Sequence, residues 1–414
     1  MRIAWFSPFP PERSGIAAYS AELLPQLSST HTIERIPELG AHDFVWKHRR
    51  DPYDLVVYQL GNAPCHDYMW AYLAAFPGLV VLHDARLHHA RARRLLKERR
   101  FDDYRREFTY DHPDARPEFA EYAVEGLGGH IYYFWSMLRV VMRTARLVAV
   151  HNARVAADLR ADYPGVAVEA IRMGVGAMEA DADARRRVRQ SLEIPDDAVV
   201  FGAFGKVTAE KRMPTILAAL ERLRHEGIDA WLLIVGDAHD SLAIAGDGIR
   251  KTGYVPDGEV AGYLAATDGC LCLRWPTALE SSASWLRCLA AARATVITDL
   301  PHLVDIPPSI ALRVDLLNEE RDLLDAMRRL ASNSALREAF ALSGHAYWAA
   351  GHTLQAMTED YQSLLIAAAA RIAPAPTDLP LHVTEDHGET ARDIVRRFGV
   401  EVDVLRAGGA GRAG

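Results

Sequence analysis

The stretch VVFGAFGKVTAEKRMPTILAALERLRHEGIDAWLLIVGD, residues 199–237, decides the fold class. It opens on an apolar run of strand length and passes through a loop with two lysines. It then continues as an amphipathic helical stretch and closes on a second apolar run. Strands without polar alternation are buried on both faces, and a helix between two of them makes a parallel crossover. The same kind of run recurs in both directions: RIAWFS, DLVVYQL, LVVLHD and LVAVH before it, GCLCLRW and ATVITD after it. Helical stretches such as SASWLRCLAAAR lie between most of them. The class is therefore α/β, with parallel sheets covered on both faces.

The strands fall into two groups on either side of the polar stretch GAMEADADARRRVRQSLEIPDD, residues 176–197. This places one α/β domain at 1–175 and a second at 176–352, and 353–370 (TLQAMTEDYQSLLIAAAA) reads as one helix. Residues 371–414 open on a Pro/Ala linker and end in Gly/Ala, with one short helix expected in ETARDIVRRFG and no role assigned. At 414 residues the chain fits two domains. Half of it is apolar and a quarter charged, and the net charge of -8 argues against nucleic acid as a partner. Cys65, Cys270, Cys272 and Cys288 match no zinc or disulfide spacing, which implies a reducing, cytoplasmic setting. No segment reads as a membrane span or a secretory leader.

In open parallel sheets, ligands sit beyond the carboxyl ends of the strands. The first strand end leads into PERSGIAAYS. There Gly15 lets the backbone approach a ligand, and the following helix offers unpaired N–H groups to an anion. A plain turn capped by Ser14 explains the same residues. There is no GxGxxG, which disfavours a nicotinamide dehydrogenase. Further strand ends carry Asn62 in YQLGN, His83 and Asp84 in VLHDARLHH, and His151 and Asn152 in VAVHN. His88 and His89 read as ordinary helix residues. In FGAFGKVTAEKR, Lys206 and Lys211 can converge on an anion as point charges, or stand as solvated surface lysines. LRWPTALESSASWLRCLAAA runs from a strand into a helix with Arg274, Pro276, Thr277, Glu280, Ser281 and Ser282 at the entry. Either serine suits an N-cap. Glu280 can accept from sugar hydroxyls or merely complement the helix dipole. Together these strand ends describe a cleft for an anionic, hydroxyl-rich ligand.

SGIAAYS, YQLGN, VVLHD, FGAFGKVTAEKR, LRWPTALESSAS and ATVITDL, in that order over residues 1 to about 370, resemble the family 4 glycosyltransferases of the GT-B class. The resemblance implies two facing Rossmann-like domains, a nucleotide-sugar held mainly by the second, and a C-terminal crossover helix that suits 353–370. It implies that Gly15 lies against the donor diphosphate and His83 near the transferred sugar. Lys206, where the family commonly has arginine, and Lys211 would neutralise the diphosphate. Glu280 matches the first acidic residue of a two-glutamate motif. The catalytic set so implied is His83, Lys211 and Glu280; Ser281 and Ser282 join the diphosphate set, and Asp84, Asn62, Arg274 and Thr277 are further cleft candidates. The sequence departs from the family in three places. Arg287 and Cys288 stand where the second, ribose-binding glutamate is expected. The loop LESSA lacks the glycine before the glutamate and the one after the serine, and ARA (Ala292 to Ala294) replaces GKP.

The resemblance implies transfer with retention of anomeric configuration, in which the leaving diphosphate oxygen takes the acceptor's proton. No metal or resident cofactor is expected, and DAD at 181–183 reads as a solvated linker. The acceptor, whether glycan, lipid-linked or small molecule, is not legible. ARARRLLKERRFDDYRRE and the Arg139, Arg143, Arg146 face in IYYFWSMLRVVMRTAR form a basic, partly aromatic surface. Such a surface suits peripheral contact with the inner membrane face or an anionic glycan, and equally a solvated helix face. Two other readings compete: a GT-B nucleotide-sugar epimerase, for which only His83 and Asp84 offer acid/base groups, and a catalytically inactive binding partner, which the altered LESSA loop would fit.

Overall fold

The computed structural model describes residues 1–237 and 244–384; the helix expected in ETARDIVRRFG lies outside them. Two compact units form. Among the described residues, the first holds Met1–Ile171, Ala278–Ser281 and residues 358–384; the second holds Arg172–Thr277 and Ser282–Met357.

The first unit is built on β1 (Arg2–Phe6), β2 (Thr32–Ile36), β3 (Leu55–Leu60), β4 (Leu79–Leu82), β5 (Leu147–Val150) and β6 (Val168–Ala170). They are all parallel, in the order β2-β1-β3-β4-β5-β6. Every residue of β3, β4 and β5 is buried, which is why these strands read as unbroken apolar runs. Chain direction across the sheet reverses between β1 and β3, so their exit loops diverge there and leave room for a ligand.

The second unit contains β7 (Val199–Phe204), β8 (Ala230–Val235), β9 (Ile249–Lys251), β10 (Gly269–Cys272), β11 (Ala294–Thr298) and β12 (Leu312–Val314). Their order is β12-β11-β10-β7-β8-β9, again parallel. Numbered from its own first strand, this is the doubly wound order 3-2-1-4-5-6, whose switch point lies between β7 and β10. The loops leaving those two strands are the ones that carry Lys206, Lys211 and the LESSA segment.

The charged stretch 176–197 is not a bare linker. Its helix Ala184–Ser191 sends Arg189, fully buried, into the second unit. There Arg189 donates to the carbonyls of Ala266, Pro195, Asp196 and Ala198 and pairs with Asp268 at 2.8 Å. Asp181 is exposed and pairs with Arg187.

The basic helices between β4 and β5 are largely neutralised from within. Arg91 forks onto Glu107 at 2.5 and 2.6 Å, with both side chains buried. Arg93 pairs with Asp67, Arg100 with Asp103, and Arg105 with Glu121. Helix Arg139–Thr144 ends before Arg146, so the three arginines do not share one helical face. Among the described residues no helix is long and apolar enough to cross a membrane.

Candidate functional site

In the first unit, the loop after β1 enters helix Gly15–Leu27, where Ser14 Oγ accepts from the Ala17 N–H at 3.0 Å. Gly15 is exposed, and a Cβ built on it would meet nothing within 4 Å. Neither packing nor a left-handed backbone calls for glycine at this helix N-terminus. After β3, Gly61 is required by close packing: its Cβ would stand 2.9 Å from Ile16 Cδ1 and 3.2 Å from both Asp84 Oδ2 and His66 Nε2. Asn62 is spent on the loop. Its N–H donates to Asp84 at 2.7 Å, its amide donates to the Arg86 carbonyl at 2.7 Å, and its Oδ1 accepts from Ala90 at 3.1 Å.

His83 leaves β4 into a hydrogen-bonded chain that sequence reasoning missed. Its Nε2 lies 2.7 Å from Gln59 Oε1; Gln59 Nε2 donates to the Tyr361 hydroxyl at 3.3 Å, and Tyr19 donates to the same hydroxyl at 2.6 Å. The Tyr19 ring meets those of His83 and His151 at 4.8 and 5.4 Å. Burial, with His151 and His66 nearby, holds His83 well below the ordinary imidazole range, so it is neutral at pH 7. Burial also pushes Tyr19 far up. Tyr361 lies in helix Leu354–Ala369, 342 residues from Tyr19, and no local pattern could have joined them. His88, expected as an ordinary helix residue, is fully buried, bonded to the Tyr104 hydroxyl at 2.7 Å and held down to about 3 by burial. Asn152 caps helix Ala153–Asp162.

Part of the LESSA segment belongs to this unit. The Ala278 carbonyl accepts from Ala85 at 2.9 Å, and Glu280, half-buried, accepts from the Ala278 N–H at 2.8 Å. Ser281 Oγ donates to the His151 carbonyl at 3.2 Å.

In the second unit, Lys211 closes a single 3-10 turn, Ala209–Lys211, after β7. Its half-buried ammonium donates to the Phe204 carbonyl. Burial, and then the Arg274 guanidinium, bring the Lys211 ammonium down to about 8, an unusual position for a lysine. Gly205 takes φ +81°, a conformation that suits glycine; a Cβ there would stand 3.0 Å from Ser284 Oγ and 3.3 Å from Lys211 Nζ. Helix Ala283–Ala290 begins beside them, capped by Ser282 Oγ on the Trp285 N–H at 3.2 Å. Of the two serines expected as N-cap, Ser282 holds that place. Ser284, in the first turn, is the residue that reaches Gly205 and was not foreseen. Lys206 is exposed, Thr277 is buried, and the Arg274 N–H donates to Thr298 Oγ1 at 2.9 Å. Arg287, a donor only, is paired with Asp257 at 2.7 Å and Cys288 is fully buried, so neither offers the carboxylate acceptor that the resemblance places there.

The missing glycines leave their backbone behind. Leu279 takes φ +63° and Ala292 takes φ +52°, at two of the positions where the resemblance leads one to expect glycine. Ala292 follows the helix C-cap Ala291, the position glycine favours most. Ala292→Gly is therefore expected to raise stability by about 1 kcal/mol through relief of left-handed strain. Urea unfolding of the two proteins measures it.

No model of a known protein family matches the sequence, and no curated protein matches it. Solved structures do. Sucrose-phosphate synthase from Thermosynechococcus elongatus superposes with a TM-score of 0.64 at 15% identity, covering 88% of this chain and 98% of its own. HepE from Anabaena, solved with UDP and glucose, gives 0.63 at 13% identity, covering 89% and 100%. WaaG, a glycosyltransferase involved in lipopolysaccharide biosynthesis, gives 0.58 at 14% identity, covering 89% and 100%. With two six-stranded parallel sheets and near-complete coverage of these neighbours, the chain has the GT-B fold.

Proposed function

We propose that the protein is a glycosyltransferase that moves a sugar from a nucleoside-diphosphate donor to a hydroxyl-bearing acceptor with retention of configuration. The observation that carries this reading is the second unit's switch point, where Lys211 Nζ and Ser284 Oγ flank Gly205 beside a capped helix N-terminus. That set suits a diphosphate: a cation, a hydroxyl and oriented N–H groups need no reorganisation to meet charge developing on the leaving group. The GT-B fold, shared with neighbours solved with UDP and UDP-glucose, agrees with it.

In this reading Lys211 is the main electrostatic catalyst, with Lys206 and Ser282 beside it on the diphosphate. Ser281, the other serine of the diphosphate set, donates its hydroxyl proton to the His151 carbonyl. Gly15 keeps a helix N-terminus open to a phosphate oxygen. His83, neutral and oriented through Gln59, faces the sugar as a hydrogen-bonding group rather than an ion. Glu280 is the carboxylate for sugar hydroxyls, and Asp84, Arg274 and Thr277 support the loops around these groups. No general base is assigned; the leaving oxygen takes the acceptor proton as the new glycosidic bond forms on the same face.

Because the protein's own cations meet the leaving charge, transfer is expected to persist at full rate in EDTA. The product's anomeric proton coupling, read by NMR during turnover with the active nucleotide-sugar, should match the donor's. An inverted product, or activity restored only by manganese, would refute the reading.

A further inference from the structure

The turn that carries Lys211 ends on a residue whose backbone is unusual for its type. Arg212 lies at φ 56°, ψ 33°, between the turn Ala209–Lys211 and helix Met213–His225. Side chains with a Cβ adopt this left-handed conformation rarely, and arginine has no local hydrogen bond of the asparagine kind to compensate.

The compensation comes from far away in sequence. Arg212 Nε donates to both oxygens of Glu319 at 2.7 and 3.0 Å, and its Nη2 donates to Oε2 at 2.5 Å. Thr215 Oγ1 donates to the same carboxylate at 3.3 Å. Glu319 is buried at 8% exposure and opens helix Glu319–Ser332, where a carboxylate is favoured by the helix dipole. A forked guanidinium–carboxylate pair fixes direction as well as distance.

The rest of the turn is pinned by backbone bonds: Lys211 N to the Thr208 carbonyl at 3.1 Å, Arg212 N to Ala209 at 3.3 Å, and Trp275 N to Glu210 at 2.8 Å. Residue 212 is the one joint whose torsion is not a relaxed one. A change of φ there swings the turn and with it the Lys211 side chain. That ammonium faces Arg274 from the loop after β10, Cys272 from β10 and Cys288 from helix Ala283–Ala290.

We propose that the Arg212–Glu319 fork is a positioning device that holds residue 212 left-handed and so aims the Lys211 ammonium at its anion. The anion itself rests on the donor-diphosphate reading above.

Arg212→Gly and Arg212→Ala both remove the fork, but only alanine carries the backbone penalty; Glu319→Gln removes the fork and keeps the arginine. In the full chain, the pH dependence of Lys211 acetylation can be followed by peptide mass spectrometry, with Lys47, Lys97, Lys206 and Lys251 as the only other lysines. Calorimetry on the same proteins gives affinity for whichever of UDP, GDP, ADP or TDP the wild type binds. The Lys211 midpoint is expected near 8 in the wild type and in Arg212→Gly. In Arg212→Ala and Glu319→Gln it should rise toward the free-lysine value, with nucleotide affinity down about tenfold or more. Adding Arg212→Gly to Glu319→Gln should restore both. Equal behaviour of the glycine and alanine variants overturns the proposal, as does an unmoved Lys211 midpoint in Glu319→Gln. If no nucleotide binds the wild type yet the midpoints move as described, the positioning role stands and the donor reading falls.

Discussion

Lys211→Ala should abolish most sugar transfer, by about 100-fold or more in kcat/KM, as removal of a group aimed at developing negative charge does. The same change should leave the melting temperature unchanged or raise it. The folded protein draws the Lys211 ammonium down to about 8 from the ordinary 10.5, so folding disfavours the charged form. Between those values the unfolded chain binds more protons, and stability rises with pH through that window. Among the described residues Lys211 has the Phe204 carbonyl as its one acceptor, so its removal is expected to cost function rather than fold. Lys211→Met, which keeps the apolar stem, separates the two effects: lower activity with equal or higher stability. Scanning calorimetry beside transfer assays reads both, and a melting temperature that falls in step with activity would make Lys211 a structural residue.

The second large effect is acid lability centred on histidines. His66 is fully buried; its Nδ1 lies 2.8 Å from the Gln59 carbonyl and its Nε2 finds no hydrogen-bond partner among the described residues, so a second proton there would be stranded. Burial brings it down to about 4 and brings His88 to about 3, while His83 lies well below 6.5. Each of these is a folded-state value below the unfolded one. Their stabilisation is complete above 6.5 and is lost as pH falls toward the folded values, because the unfolded chain then binds the extra protons. His66 and His88 together should remove about 5 kcal/mol between pH 7 and 4.5. Glu107, held at about 2 by Arg91 and His382, loses its contribution only below 4.5, in a separate window. Urea unfolding at pH 7, 5.5 and 4.5 should show this slope, and His88→Phe should flatten it. A stability independent of pH in this range would contradict neutral burial of these rings.

The strands legible in the sequence were the interior ones. The eight apolar runs became β1, β3, β4, β5, β7, β8, β10 and β11, each with neighbours on both sides. The four that escaped, β2, β6, β9 and β12, are the sheet edges. TIERI and IRK carry exposed polar residues, and three of the four are only three residues long, too short for a periodicity to register. The same logic divides the site. Strand ends can be read because parallel sheets put their loops on one side, which is why His83, Lys211 and Glu280 stand out as candidates. The Tyr19–Gln59–Tyr361 chain, the place of Ser284 and the Arg212–Glu319 fork depend on residues tens to hundreds of positions apart. The missing glycines at 279 and 292 read as losses in the sequence, whereas the backbone there keeps the conformation glycine would have given it.

Calorimetric titration of UDP, GDP, ADP and TDP into the full-length protein, without added metal, tests the central claim most directly. One of them is expected to bind, and Lys211→Ala to remove that binding while the protein stays folded. Failure of all four at millimolar concentration, with the wild-type protein intact, would contradict a nucleoside-diphosphate site at Lys211.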